Sequence, residues 1–360
     1  MHKITPLPCR LYSIDTPHIL YAMTKEQTTI IKGVAILMML FLHLFNGANV
    51  ADSCTPLIYI GQTPLVHIIS RACSPVGIFL MLSGYGLSYT YTHGRLSLKG
   101  QSERLLKLYI HYWLILLIFV SIGCYVKPEM YPGSPTDAVL NFMSIHSNYN
   151  SETWFLFPYM LLSLTALWIF KGIDRLGCAR SIVVSWVLYM ASIYVISRYI
   201  APARAYTAWY SYVLTYFDVL FFFVIGAVFH RQTERGRGRI AYLNSHQAVI
   251  FAILAVLVTL NCLVSSAATA YLFEFAYVFL LLHMNIKGIV KRFLLAMGKQ
   301  SMLMWMTHSF FCYYLFHDFI YGFKYPLVIY VVLIIISYSV SVPVSFIAGR
   351  IIQRLPLAGK

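Results

Sequence analysis

Residues 29–46 read Thr-Ile-Ile-Lys-Gly-Val-Ala-Ile-Leu-Met-Met-Leu-Phe-Leu-His-Leu-Phe-Asn. The stretch is apolar but for one lysine, one histidine and its polar ends. Its length is close to the ~20 residues an α-helix needs to cross the hydrocarbon core of a bilayer. A polar segment, Met1 to Gln27, precedes it. A cleaved signal peptide has the opposite order, so the stretch is expected to be an uncleaved anchor.

The same pattern recurs along the chain at 73–92, 105–126, 153–170, 181–198, 209–230, 247–265, 268–286, 300–318 and 326–349. Composition agrees: 59% of the 360 residues are hydrophobic and only 11% charged, against roughly 25% charged in soluble domains. Period-two alternation, the mark of a membrane barrel, is missing, which leaves helices. Segments 247–265 and 268–286 form one apolar run broken at Ser265-Ser266-Ala267-Ala268. A single helix of that length would overshoot the ~30 Å core, so the run reads as a tight hairpin. The expected fold is an all-α integral membrane bundle of about ten helices. It divides into a tail at 1–28, a transmembrane domain at 29–349 and a second tail at 350–360, with no internal repeat and no soluble domain.

Lysine and arginine set the orientation. With ten spans, 22 of the 27 cations fall on one side, among them Lys3, Arg10, Lys25, Arg95, Lys99, Lys171, Arg231, Arg237, Arg239, Lys291 and Lys360. The other five are Arg71, Lys127, Arg198, Arg204 and Lys324. Both termini are therefore expected in the cytoplasm. The split also accounts for the net charge of +15 without a nucleic-acid partner. The seven cysteines include no Cys-x-x-Cys pair, so no metal or redox site is indicated. Cys54 and Cys73 read as ordinary thiols rather than an external disulfide.

Ionisable groups at membrane depth are costly and are functional candidates by default. His43 lies 11 residues after Lys32, about 16 Å along the helix and on nearly the same face. One face of the first helix thus carries a cation at the cytoplasmic mouth and an imidazole near the midplane. The plain alternative is a histidine that only packs. Ser83 and Gly84 fall near midplane in the second helix, where small residues let helices approach closely. Asp218 could orient a histidine, or be a protonated, hydrogen-bonded carboxyl. His308 is a further intramembrane candidate. Arg104 and Lys107, at i and i+3, face the same way at the cytoplasmic surface, as simple positive-inside anchors also would.

Taken in order, several motifs resemble the acyltransferase-3 family of membrane acyltransferases. They are Lys32-Gly33-Val34-Ala35-Ile36 through His43, Phe79-Leu80-Met81-Leu82-Ser83-Gly84-Tyr85, Arg104-x-x-Lys107 with Tyr112-Trp113, Trp154-Phe155-Leu156, and Gly298-Lys299-Gln300-Ser301 leading to His308. They run from about residue 25 to 316. The sequence departs from the family in carrying Lys32 and Lys107 where arginine is usual. Lysine keeps the charge but loses the two-point guanidinium grip on phosphate.

The resemblance implies a stand-alone O-acyltransferase in a bacterial inner (plasma) membrane. It would move an acyl group, typically acetyl, from cytoplasmic acetyl-CoA to a hydroxyl of a glycan or lipid-linked saccharide. Lys32, Arg104 and Lys107 would hold the phosphates of the donor, and a neutral His43 would act as general base or as an acyl relay. Ser83 or Tyr85 would hold the oxyanion, and Glu152 and Trp154 would line the outer acceptor mouth, where Trp154 could equally be an interface anchor. Two rivals make different predictions. A flippase for polysaccharide intermediates would translocate without CoA, but no inverted repeat or broken helix pair speaks for it. The unrelated O-acyl type of membrane acyltransferase would carry its key histidine late in the chain.

Overall fold

The computed structural model describes residues 23–47, 49–204, 206–236 and 241–356. Lys3, Arg10, Arg237, Arg239 and Lys360 lie outside them. Ten long helices make up the body: α1 Lys25–Phe45, α2 Val76–Thr92, α3 Leu98–Val126, α4 Leu156–Leu176, α5 Cys178–Val195, α6 Trp209–Glu234, α7 Gln247–Leu263, α8 Ala267–His283, α9 Gly288–Ser309 and α10 Pro326–Arg354. Six of these, α1, α3, α4, α5, α6 and α10, are long and apolar enough to cross a membrane, α4 and α5 with the short helical turns that adjoin them. α7 and α8 are shorter apolar helices. The chain is an all-α, multi-pass membrane protein. The only strands among the described residues are the two-residue pair Tyr59–Ile60 and Thr63–Pro64, a hairpin in the loop after α1.

Local chemistry explains where the helices start. Thr24 caps α1 in a reciprocal capping box with Gln27, which satisfies two backbone donors at once. Ser97 caps α3, so this helix begins seven residues before the apolar run at 105. α9 differs most from expectation. It starts at Gly288, twelve residues before the anticipated 300, because its first turns carry Lys291, Arg292 and Lys299 on an otherwise helical stretch. It then widens into a π-helical turn at Phe310–Tyr314. α7 and α8 are separated at 264–266, as the hairpin reading requires.

The loops gather at two ends. At one end the Tyr321 hydroxyl donates to the Leu44 carbonyl, Asn261 donates to the Ala72 carbonyl, and the Thr55 amide donates to the Lys324 carbonyl. At the other, Lys291 pairs with Glu26 at 2.7 Å, Arg231 pairs with Asp174 at 2.8 Å, and the Tyr85 hydroxyl accepts from the Met23 amide.

Two apolar cores meet at α1. One joins α1, α3, α9 and α10 through residues such as Leu40, Phe119, Met304 and Leu333. The other joins α1, α2, α4, α5, α6 and α8 through Ile31, Leu80, Phe170, Tyr189, Phe223 and Tyr277. Two reciprocal glycine contacts set the closest crossings. A Cβ on Gly33 would lie 2.2 Å from the Leu294 carbonyl oxygen, and one on Gly298 would lie 1.9 Å from that of Thr29. Gly84 and Gly226 do the same for α2 and α6, each 2.0 Å from the partner carbonyl oxygen. Such small residues let intramembrane helices touch backbone to backbone. Gly84, expected to serve close packing, does so.

Candidate active site

α1 and α9 cross at the Gly33–Gly298 contact and run side by side toward the end where α1 meets Tyr321. Lys32, Met39 and His43 follow one another at i, i+7 and i+11 on α1. Ser301, Trp305 and His308 follow at i, i+4 and i+7 on α9. Both sets are single helix faces, and Lys32, Met39, Ser301 and Trp305 line a common cavity.

The polar region along these two faces has two parts. The inner part is a cavity of about 700 Å³. Lys32, Arg95, Arg104 and Lys107 stand in its wall with His111, and no Asp or Glu is among the lining residues. None of the four cations makes an ion pair with a carboxylate among the described residues. Arg104 donates to Gln101 at 3.3 Å, and Gln101 also accepts from Ser163 at 3.0 Å, which ties α3 to α4 at this point. Ser83 is in the wall as well, its hydroxyl 3.3 Å from that of Tyr159. Toward α1's far end the cavity closes on Met39, Phe155 and Trp305.

The second part begins one turn beyond that wall. His43 Nε2 lies 3.3 Å from Glu152 Oε2, and each side chain is 17% exposed. The rings of His43 and His308 have centroids 4.9 Å apart. Tyr313, delivered by the π-turn after α9, donates its hydroxyl proton to the backbone carbonyl of His43, and its ring stands edge-on to the His43 ring at 5.9 Å. π-turns of this kind often mark functional positions.

Glu152 sits on the one-turn 3₁₀ helix Ser151–Phe155 and is held there from several directions. Its carboxylate accepts from Ser151 at 3.1 Å, its carbonyl accepts from the Trp305 indole at 3.0 Å, and its amide donates to Asn150 at 3.2 Å. Buried Asn150 in turn accepts from Ser309 at 2.7 Å and donates to the Met306 carbonyl at 2.9 Å. The acid is thus fastened to α9 while its carboxylate reaches α1.

The neighbouring carboxylate biases the tautomer of His43: an oxygen that only accepts, 3.3 Å from Nε2, favours the proton on that nitrogen and the lone pair on Nδ1. The Tyr313 hydroxyl is 3.4 Å from that Nδ1, but its single proton goes to the nearer carbonyl. In that tautomer His43 has a nitrogen able to take a proton and an acid beside its ring, an arrangement that general-base catalysis can use.

Other candidates lie elsewhere. Tyr85 faces away from the cavity, packing on Phe229 and His230 with its hydroxyl on Thr233 at 3.0 Å, and it fastens α2 to α6. Asp218 is on α6, with Tyr189 and Glu274 among its ionisable neighbours. Trp154 is 39% exposed beside Phe155, at the rim next to Glu152. Cys54 and Cys73 are free thiols. Reading the sequence alone misses Trp305, Tyr313, Asn150 and Arg95 as site residues. The first was within reach, since it shares the helical face of Ser301 and His308.

Residues 28–350 match the family model for an acyltransferase domain. The chain belongs to the acyltransferase-3 family. No curated protein and no solved structure matches it. As a member of the acyltransferase-3 family the chain is a membrane acyltransferase, and its two polar zones can be read in that light. The unpaired cations with no opposing acid suit a polyanionic donor. The His43–Glu152 pair suits activation of a hydroxyl.

Proposed function

We propose that the protein takes an acyl group, typically acetyl, from cytoplasmic acyl-CoA and places it on a hydroxyl of a glycan or lipid-linked saccharide presented at the outer face. The proposal includes ten crossings with both ends of the bundle's chain in the cytoplasm. The observation that carries it is the succession along α1 and α9: a cavity lined by four cations and no acid, then an apolar throat, then the His43–Glu152 pair.

In this reading Lys32, Arg104 and Lys107, with Arg95, hold the phosphates of the donor. The cavity between α1, α2, α3 and α9 takes the pantetheine arm, which brings the thioester to the Met39–Trp305 wall. His43 Nδ1 takes the proton of the acceptor hydroxyl as its oxygen attacks the thioester carbonyl. The carbon–sulfur bond breaks, and the same proton passes to the departing thiolate. Glu152 steadies the imidazolium formed between the two transfers. Ser83, with its hydroxyl in the cavity wall, is the residue placed to meet the oxyanion.

The test is acyl transfer from labelled acetyl-CoA in membranes. His43→Ala should lower transfer by about 10²-fold or more, the scale of general-base catalysis, at unchanged membrane abundance. Retained activity would remove His43 from the mechanism. Separately, the Lys32→Glu and Arg104→Glu pair should abolish CoA binding while the bundle stays folded, since two phosphate contacts become repulsive. Undiminished binding would place the donor elsewhere.

A further inference from the structure

His308 is fully buried, at 0% exposure. Its Nδ1 lies 2.7 Å from the Trp305 carbonyl oxygen and 3.2 Å from that of Met304. Carbonyls only accept, so Nδ1 carries the proton and Nε2 must be a bare acceptor. That Nε2 has no hydrogen-bond partner. An unmet buried acceptor calls for a donor that arrives from elsewhere, because leaving it unpaired costs the full desolvation of the group.

The site therefore holds two imidazoles that can each offer one lone pair: Nε2 of His308, whose Nδ1 donates to carbonyls, and Nδ1 of His43, whose Nε2 faces the Glu152 carboxylate. Their rings are 4.9 Å apart. A single hydroxyl has only one proton and can satisfy only one of them. Two hydroxyls on adjacent carbons bring one proton for each nitrogen, and their close spacing suits two rings whose centroids are 4.9 Å apart. The Tyr313 hydroxyl, 3.4 Å from His43 Nδ1, marks that an oxygen fits on this side of the ring. Tyr313 is 37% exposed, so the side chain next to the pair also reaches the surface.

We propose that the acceptor is a vicinal diol, its reacting hydroxyl donated to His43 Nδ1 and its neighbour donated to His308 Nε2. The inference rests on the acyl-transfer reading above and narrows its substrate class. His43 removes a proton from the first hydroxyl, whose oxygen becomes the ester. The second hydroxyl keeps its proton, stays bonded to His308 and sets the register of the first. His308 is thus a binding residue that selects which hydroxyl is acylated.

The experiment uses the full-length protein in its own membranes with labelled acetyl-CoA. The labelled product is isolated and its ester mapped, and transfer is also competed with trans-1,2-cyclohexanediol and with cyclohexanol. The ester should lie on a carbon whose neighbour bears a free hydroxyl. The diol should compete at a concentration at least about tenfold below the mono-alcohol, since a site built for a hydroxyl rejects the analogue that lacks it. His308→Phe, which keeps the ring volume and removes the lone pair, should erase that preference while some transfer persists. An ester with no adjacent hydroxyl, a wild-type protein indifferent to the second hydroxyl, or an unchanged preference in His308→Phe would each overturn the proposal. Absence of any CoA-dependent product from the wild-type protein would instead overturn the acyl-transfer reading beneath it.

Discussion

An imidazole can be a base within a bilayer only if something stabilises its cation, and in the proposed reaction that is the task of Glu152, 3.3 Å from His43. Glu152→Gln should keep the ring contact, because the amide has the same size and can still face Nε2, yet it removes the charge. The expected outcome is a fall in kcat of about 10²-fold with little change in KM for the donor, as for loss of an interaction made chiefly in the transition state. Equal activity in steady-state assays would reduce Glu152 to a packing residue. At this scale the sequence was informative about His43 and His308, ionisable groups within apolar segments, whereas Glu152 was expected only at the acceptor mouth and not beside His43. It could not show that they converge. They belong to segments more than a hundred residues apart, and only the α1–α9 crossing, reinforced by the Asn150–Ser309 contact, brings them together. Tyr313 was not legible for a further reason. A regular helix would send it in another direction, and the π-turn that re-aims it leaves no mark in hydrophobic periodicity.

The helices themselves were legible because their apolar lengths are imposed by the bilayer, whereas their inner ends were not. In α9 the charges of the first turns lower the hydropathy without breaking the helix, so the apolar signal begins well after the helix does. Those hidden turns contain Leu294, whose carbonyl meets Gly33, and Gly298, which meets Thr29. The crossing predicts the effect of adding one methyl group. Gly→Ala in a helix interior normally gains up to about 1 kcal/mol in propensity. At Gly298 the new Cβ would sit 1.9 Å from a backbone carbonyl oxygen, which cannot rotate away, and overpacking of this sort costs about 1–3 kcal/mol. The cost exceeds the gain. Gly298→Ala should lower the thermal midpoint of the detergent-solubilised protein and, by spreading α1 from α9, should lower acyl transfer further than stability alone explains. Gly172→Ala, on α4 with open space around its Cβ position, is the matched control and should be neutral or stabilising.

The order of donor cavity, throat and histidine pair becomes a transmembrane reaction path only if the chain alternates sides at every helix, and length constrains that alternation weakly at the α7–α8 hairpin, as at α2, which is also 17 residues. Both helices are 17 residues, short of the ~20 that span the core without local thinning. Their connecting turn is nevertheless tied to one end of the bundle, where the Ser265 hydroxyl donates to the Arg71 carbonyl at 3.3 Å and Asn261 donates to the Ala72 carbonyl. Their opposite ends meet where Gln247 donates to the His283 carbonyl at 3.2 Å. Single cysteines in a protein otherwise freed of them, at Glu129→Cys, Ser265→Cys and Arg175→Cys, read this out with a membrane-impermeant maleimide. With ten crossings, Glu129→Cys and Ser265→Cys are labelled in intact cells, and Arg175→Cys only after the membrane is opened. Labelling of Ser265→Cys only after opening would mean that α7 and α8 do not cross. The positive-inside distribution would then have to be recounted on eight helices. The α1 path from Lys32 to His43 would survive that result, because the sides of α1 to α4 do not depend on the hairpin.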